Sequence, residues 1–78
     1  MLKYKLVSRN GDAMMYHYMP EGTGKPGIVS IDAQNGETEV LAVSADDIGM
    51  RYATKLTDRL EEMFAQKAMR EEGAVAWY

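Results

Sequence analysis

The chain contains no cysteine. That excludes disulfides, thiolate metal ligands and cysteine nucleophiles, and it leaves a small domain without a covalent staple. There is a single histidine, His17, so general acid–base catalysis has almost no cast. The only two prolines fall between residues 20 and 26. No apolar run approaches the ~20 residues needed to span a bilayer. The opening Met1-Leu2-Lys3-Tyr4-Lys5 places charges where a secretory leader would begin its apolar run. A cytoplasmic protein with no membrane partner is the expectation. The formal net charge is only −3, with the two signs intermixed, so no global field draws the chain to DNA or to an anionic membrane.

What remains is enough for one domain. The 78 residues read as a single α+β unit over positions 1–78, with a sheet from about 2 to 43, a helix from about 45 to 72 and an apolar tail at 74–78. A domain this small buries roughly 60–65% of its unfolded surface, so its core is thin.

Two hairpins account for the sheet. Lys3 to Arg9 and Asp12 to Met19 alternate in character and meet at Asn10-Gly11, the strongest short-range hairpin signal. A two-residue turn there sets Leu6 opposite Met15 and Tyr4 opposite His17. Leu2, Tyr4, Leu6, Ala13, Met15, His17 and Met19 then form the more apolar face, expected to be the core. Lys3, Lys5, Val7, Arg9, Asp12, Met14, Tyr16 and Tyr18 form the other. Pro20 to Gly27, with three glycines and two prolines, is a loop. Ile28 to Asp32 and Glu37 to Val43 make the second hairpin around Ala33-Gln34-Asn35-Gly36. A loop of two or four residues puts Val29, Ile31, Val40 and Ala42 on one face.

Ser44 is a good N-cap, Asp47 approximates a capping box, and Val43 and Ile48 occupy the hydrophobic staple positions. Ile48, Tyr52, Leu56, Leu60, Met63, Phe64 and Lys67 follow at helical spacing, with Gly73 as the stop. The expected fold is a four-stranded antiparallel meander with one long C-terminal amphipathic helix packed on one face, in the order β-β-β-β-α. The helix outruns its sheet, so its far end and the tail call for a further cover: the same surface of a second copy related by a two-fold axis, or the tail docking back or pairing with a sheet edge.

The motifs for chemistry are weak. Gly22-Thr23-Gly24-Lys25 lacks the upstream glycine and the following Ser or Thr of a phosphate loop, and no helix follows it. Met15, His17 and Met19 are soft-metal ligand types on one side of a strand, but alternate residues stand about 6.6 Å apart and methionine is a common core filler. No catalytic, cofactor-binding or metal residues are assigned. Asp46-Asp47 and Glu61-Glu62 are neighbours on a helix, where adjacent side chains diverge by about 100°, so neither pair converges on a substrate. The expectation is a non-enzymatic protein-interaction or self-associating module without cofactor. Its partner would be a second copy, as a homodimer, or another protein, met through Met63, Phe64, Met69, Trp77 and Tyr78. The alternative is single-stranded nucleic acid bound on a basic-aromatic sheet face of Lys3, Lys5, Arg9, Tyr16 and Tyr18.

Overall fold

The Asn-Gly signal marks a turn, but the turn sits one residue later than the simplest reading places it. In the computed structural model, which describes residues 1–22 and 24–75, Asn10 pairs with Ala13. The two turn residues are therefore Gly11 and Asp12. Only Gly11 has a positive φ, +62°, which is the pattern of a II′ turn with glycine at its first central position. β1 (Leu2–Asn10) and β2 (Ala13–Met19) run antiparallel from it.

A bulge then changes what each strand shows the core. Ser8 pairs with Met15, but Leu6 pairs with Tyr16, leaving Val7 unopposed. One extra residue on one strand exchanges the faces beyond it. Tyr4 therefore lies opposite Tyr18 rather than His17. The buried set is Leu2, Tyr4, Met14, Tyr16 and Tyr18, while Met15, His17 and Met19 turn to the other side of the sheet, and Val7 stays exposed. The expected core face of β2 is thus corrected.

β3 (Gly27–Asp32) and β4 (Thr38–Ala42) close around a four-residue loop, with the Asp32 amide bonded to the Glu37 carbonyl. The Asp32 carboxylate organises that loop by accepting from the amides of Gln34 and Asn35. Val29 and Val40 face each other as expected, but a second bulge at Leu41 puts Ala42 opposite Ile28 and off the core face.

The helix is shorter than its stripe suggests, and the expected span of 45–72 is corrected. α1 covers Arg51–Ala65, 15 residues, or about 22 Å at ~1.5 Å per residue. A 28-residue helix would need about 42 Å, whereas the longest dimension of the molecule is 30 Å. A Schellman motif stops it. The Ala68 amide bonds to the Met63 carbonyl and the Lys67 amide to that of Phe64, with Lys67 left-handed at φ 55°. The chain then returns as β5 (Glu72–Val75), antiparallel to β1 with Leu2 opposite Val75 and Lys5 opposite Glu72. Among the described residues the sheet has five strands, not four, in the order β4-β3-β2-β1-β5. Because β4 and β5 are opposite edges, the chain between them must cross the sheet, and α1 is that crossing.

Ala53, Leu56, Leu60 and Met63 pack onto the tyrosine face. Three tyrosine hydroxyls fasten the layers. Tyr18 reaches Asp47 ahead of the helix, Tyr4 donates to Met63 Sδ near its end, and Tyr16 donates to the Arg70 carbonyl beyond it. Among the described residues no helix is long and apolar enough to cross a membrane.

Candidate functional site

The segment between β4 and α1 is ordered by a single carboxylate. Ser44 caps a turn of its own, accepting from the Asp46 amide through Oγ and from the Asp47 amide through its carbonyl. Asp47 is the residue that caps the helix. Its Oδ1 accepts from the Tyr52 amide at 3.0 Å and its Oδ2 from the Ala53 amide at 2.9 Å. The Tyr18 hydroxyl donates to the same Oδ2 and accepts from the Ser44 amide. Asp47 and Ser44 are both buried. Burial pushes the Tyr18 phenol up to about 12, with Asp47 adding to the rise and the Ser44 amide opposing it. Burial likewise raises Tyr16.

Between that carboxylate and the helix the backbone makes a corner. Ile48 to Met50 form one 3-10 turn, in which Gly49 has φ 70° and Met50, at the start of α1, has φ 60°. A left-handed conformation at a residue bearing a Cβ is strained by about 1–2 kcal/mol. The corner turns Ile48 away from the core and leaves it 84% exposed. The staple expected between Val43 and Ile48 is therefore absent. Leu41, Val43 and Met50 are each more than 40% exposed, so four large apolar side chains stand in solvent within ten residues of chain.

At the other end of α1 is a groove of about 670 Å³ lined by Ala33, Phe64, Ala65, Lys67 and Met69. Phe64 lies against Gly36, where a Cβ would collide with its ring.

These positions bear unevenly on the residues singled out from sequence. Met63 is core, at 1% exposure, and offers no contact surface. Phe64 and Met69 are half-buried and share the groove. Trp77 and Tyr78 lie outside the described residues. Lys3, Lys5 and Arg9 are exposed, but Tyr16 and Tyr18 are fully buried under the helix, so the basic-aromatic face is not assembled. The bulge at Val7 is the reason. The carboxylate pairs are engaged structurally: Asp46 accepts from the Lys25 amide, Glu61 from Thr38 Oγ1 and Glu62 from Arg59. Among the described residues, no group of three or more histidine and acidic side chains is placed to hold a metal ion.

Ile48 and Met50 were missed as surface residues. The available signal was Gly49, a poor residue for the first turn of a helix. Comparison of the chain with protein families, with curated proteins and with solved structures gives no match.

Proposed function

We propose that this chain is a non-enzymatic interaction module that associates with further copies of itself. The observation that carries the reading is Ile48, 84% exposed on a corner fixed by Asp47. A bare isoleucine is common enough on a surface. One held out by consecutive left-handed residues, beside a buried cap, is a preorganised contact.

The size of the patch selects the kind of contact. A standard interface engages roughly 20–30 residues a side, and this corner offers two large exposed apolar ones, Ile48 and Met50. It suits insertion of one side chain into a pocket rather than a broad obligate face. The chain carries a fitting pocket at the far end of the same helix, the apolar groove of Phe64 and Met69. Charge agrees with that match: Asp46 is exposed two residues before Ile48, and Lys67 is exposed at the groove. Knob and groove are different surfaces, so the contact is head-to-tail rather than two-fold. The two-fold dimer expected from an overlong helix loses its premise, because α1 does not outrun the sheet.

Complementation tests this reading. Ile48→Asp removes the knob and keeps the groove, and Met69→Glu does the reverse. Sedimentation equilibrium should find the parent associating with rising concentration, each variant monomeric, and their equimolar mixture forming dimers that go no further. A parent that remains an 8.8 kDa monomer into the millimolar range overturns the proposal. So does a mixture that stays monomeric, which would leave another protein as the partner of Ile48.

A further inference from the structure

The bulge at Val7 that buries the tyrosines also sends Met15, His17 and Met19 to the face of the sheet that α1 leaves open. All three are partly exposed. They lie in one line on the central strand, at alternate positions about 6.6 Å apart. On β1, Ser8 is opposite Met15, Lys5 opposite His17 and Lys3 opposite Met19. On β3, Ser30 is opposite Met15 and Ile28 opposite His17. Glu72 stands beyond Lys5 in the same row.

Two thioethers flank an imidazole. A methionine side chain has three rotatable bonds and a polarizable sulfur, so the sulfurs of Met15 and Met19 can lean toward His17 from either side. Neutral soft donors select soft metal ions, with thioethers favouring Cu(I) over the common divalent cations. The surroundings point the same way. Lys3 and Lys5 repel a cation in proportion to its charge, and Glu72 is separated from the line by Lys5, so a divalent ion finds little compensation. The geometry points to a binding site for one soft monovalent metal ion, Cu(I) or its surrogate Ag(I), held by Met15 Sδ, the His17 imidazole and Met19 Sδ. This site is independent of the Ile48 contact, and its ligands do not support the core, so they can be replaced without unfolding the domain.

Titration of the intact protein with Ag(I) in chloride-free buffer, followed by NMR of the methionine methyl groups, tests the site. The Met15 and Met19 methyls and the His17 ring protons should shift together and saturate at one ion per chain. Met50 and Met69, exposed or half-exposed elsewhere, are internal controls and should not move. His17→Gln, and Met15→Leu with Met19→Leu, should each weaken binding by about tenfold or more, while Met50→Leu leaves it unchanged. Zn(II) at the same concentration should leave all these signals in place. Absence of a saturable shift at micromolar Ag(I) overturns the proposal. Shifts shared equally with Met50 and Met69, or affinity retained when His17→Gln, Met15→Leu and Met19→Leu are combined, overturn it as well.

Discussion

The Tyr18 hydroxyl donates a 2.8 Å hydrogen bond to Asp47 Oδ2, and through it the central strand of the sheet holds the N-terminus of the only helix longer than one turn among the described residues. Asp47→Ala would leave that hydroxyl and the amides of Tyr52 and Ala53 without their acceptor in a site only 5% exposed. The expected loss is about 2–3 kcal/mol of folding stability, read from urea unfolding. Tyr18→Phe orphans the buried Ser44 amide and should cost about 1–3 kcal/mol. The two substitutions share one network, so the double variant should lose less than the sum, by at least ~0.5 kcal/mol. Strict additivity would show the two groups to be independent.

Alkaline pH should weaken the fold through the same tyrosine. The Tyr18 phenol is raised from 10.0 to about 12 in the folded chain, and Tyr16 is also raised. The unfolded chain therefore gives up these protons first. Their contribution is intact below pH 10 and declines as pH rises from 10 toward about 12. Urea midpoints across that range should fall, and Tyr18→Phe should make the fall shallower. A midpoint that holds level to pH 12 would refute the assignment.

Gly27 and Gly11 separate crowding from backbone strain. A Cβ on Gly27 would strike ring atoms of Tyr18, and Tyr18 is pinned at both ends. Gly27→Ala should cost about 1–3 kcal/mol by overpacking. At Gly11, with φ +62° and nothing within 4 Å, alanine meets only the dihedral cost of about 1–2 kcal/mol. The difference is visible spectroscopically: Gly27→Ala should move the Tyr18 ring resonances, and Gly11→Ala should not.

Lys67 occupies a position usually held by glycine. With φ 55° at the helix stop, Lys67→Gly relieves the left-handed strain and adds flexibility to the unfolded chain, two effects of opposite sign. The net expectation is a stabilisation of a few tenths to about 1 kcal/mol, a rise of up to ~4–8 °C in melting temperature. A lowered melting temperature would mean that the lysine makes contacts worth more than its strain.

The sequence made the turn regions, the first four strands and the middle of the helix legible, because Asn-Gly, period-2 alternation and the Leu56/Leu60 spacing are local signals, whereas β5 falls where the helix end and the tail were expected. The bulge at Val7 is not local in that sense, since nothing in Leu6-Val7-Ser8 marks an extra residue. Composition did offer a hint: a face with Tyr16 and Tyr18 buries more ring than one with His17, and large aromatics dominate small cores. The helix stop was illegible for a different reason. Apolar residues continue to Met69 at helical spacing, and a lysine rather than a glycine takes the left-handed position. The candidate knob was hidden by the same pattern, because Ile48 fits the helical stripe that the Gly49–Met50 corner interrupts.

The pairing of β5 with β1 also determines how the molecule bears force. Leu2 lies opposite Val75, so the first and last strands meet at the end of the ladder where both would be gripped. In an antiparallel pair the hydrogen bonds run across the strands, and tension applied at residues 1 and 75 falls on the Leu2–Val75 rung before any other. The rungs then open one after another, as a zipper, instead of sharing the load in shear. Pulled from these ends, the domain yields at low force and sheds β5 while Tyr18 still holds the helix to the remaining sheet.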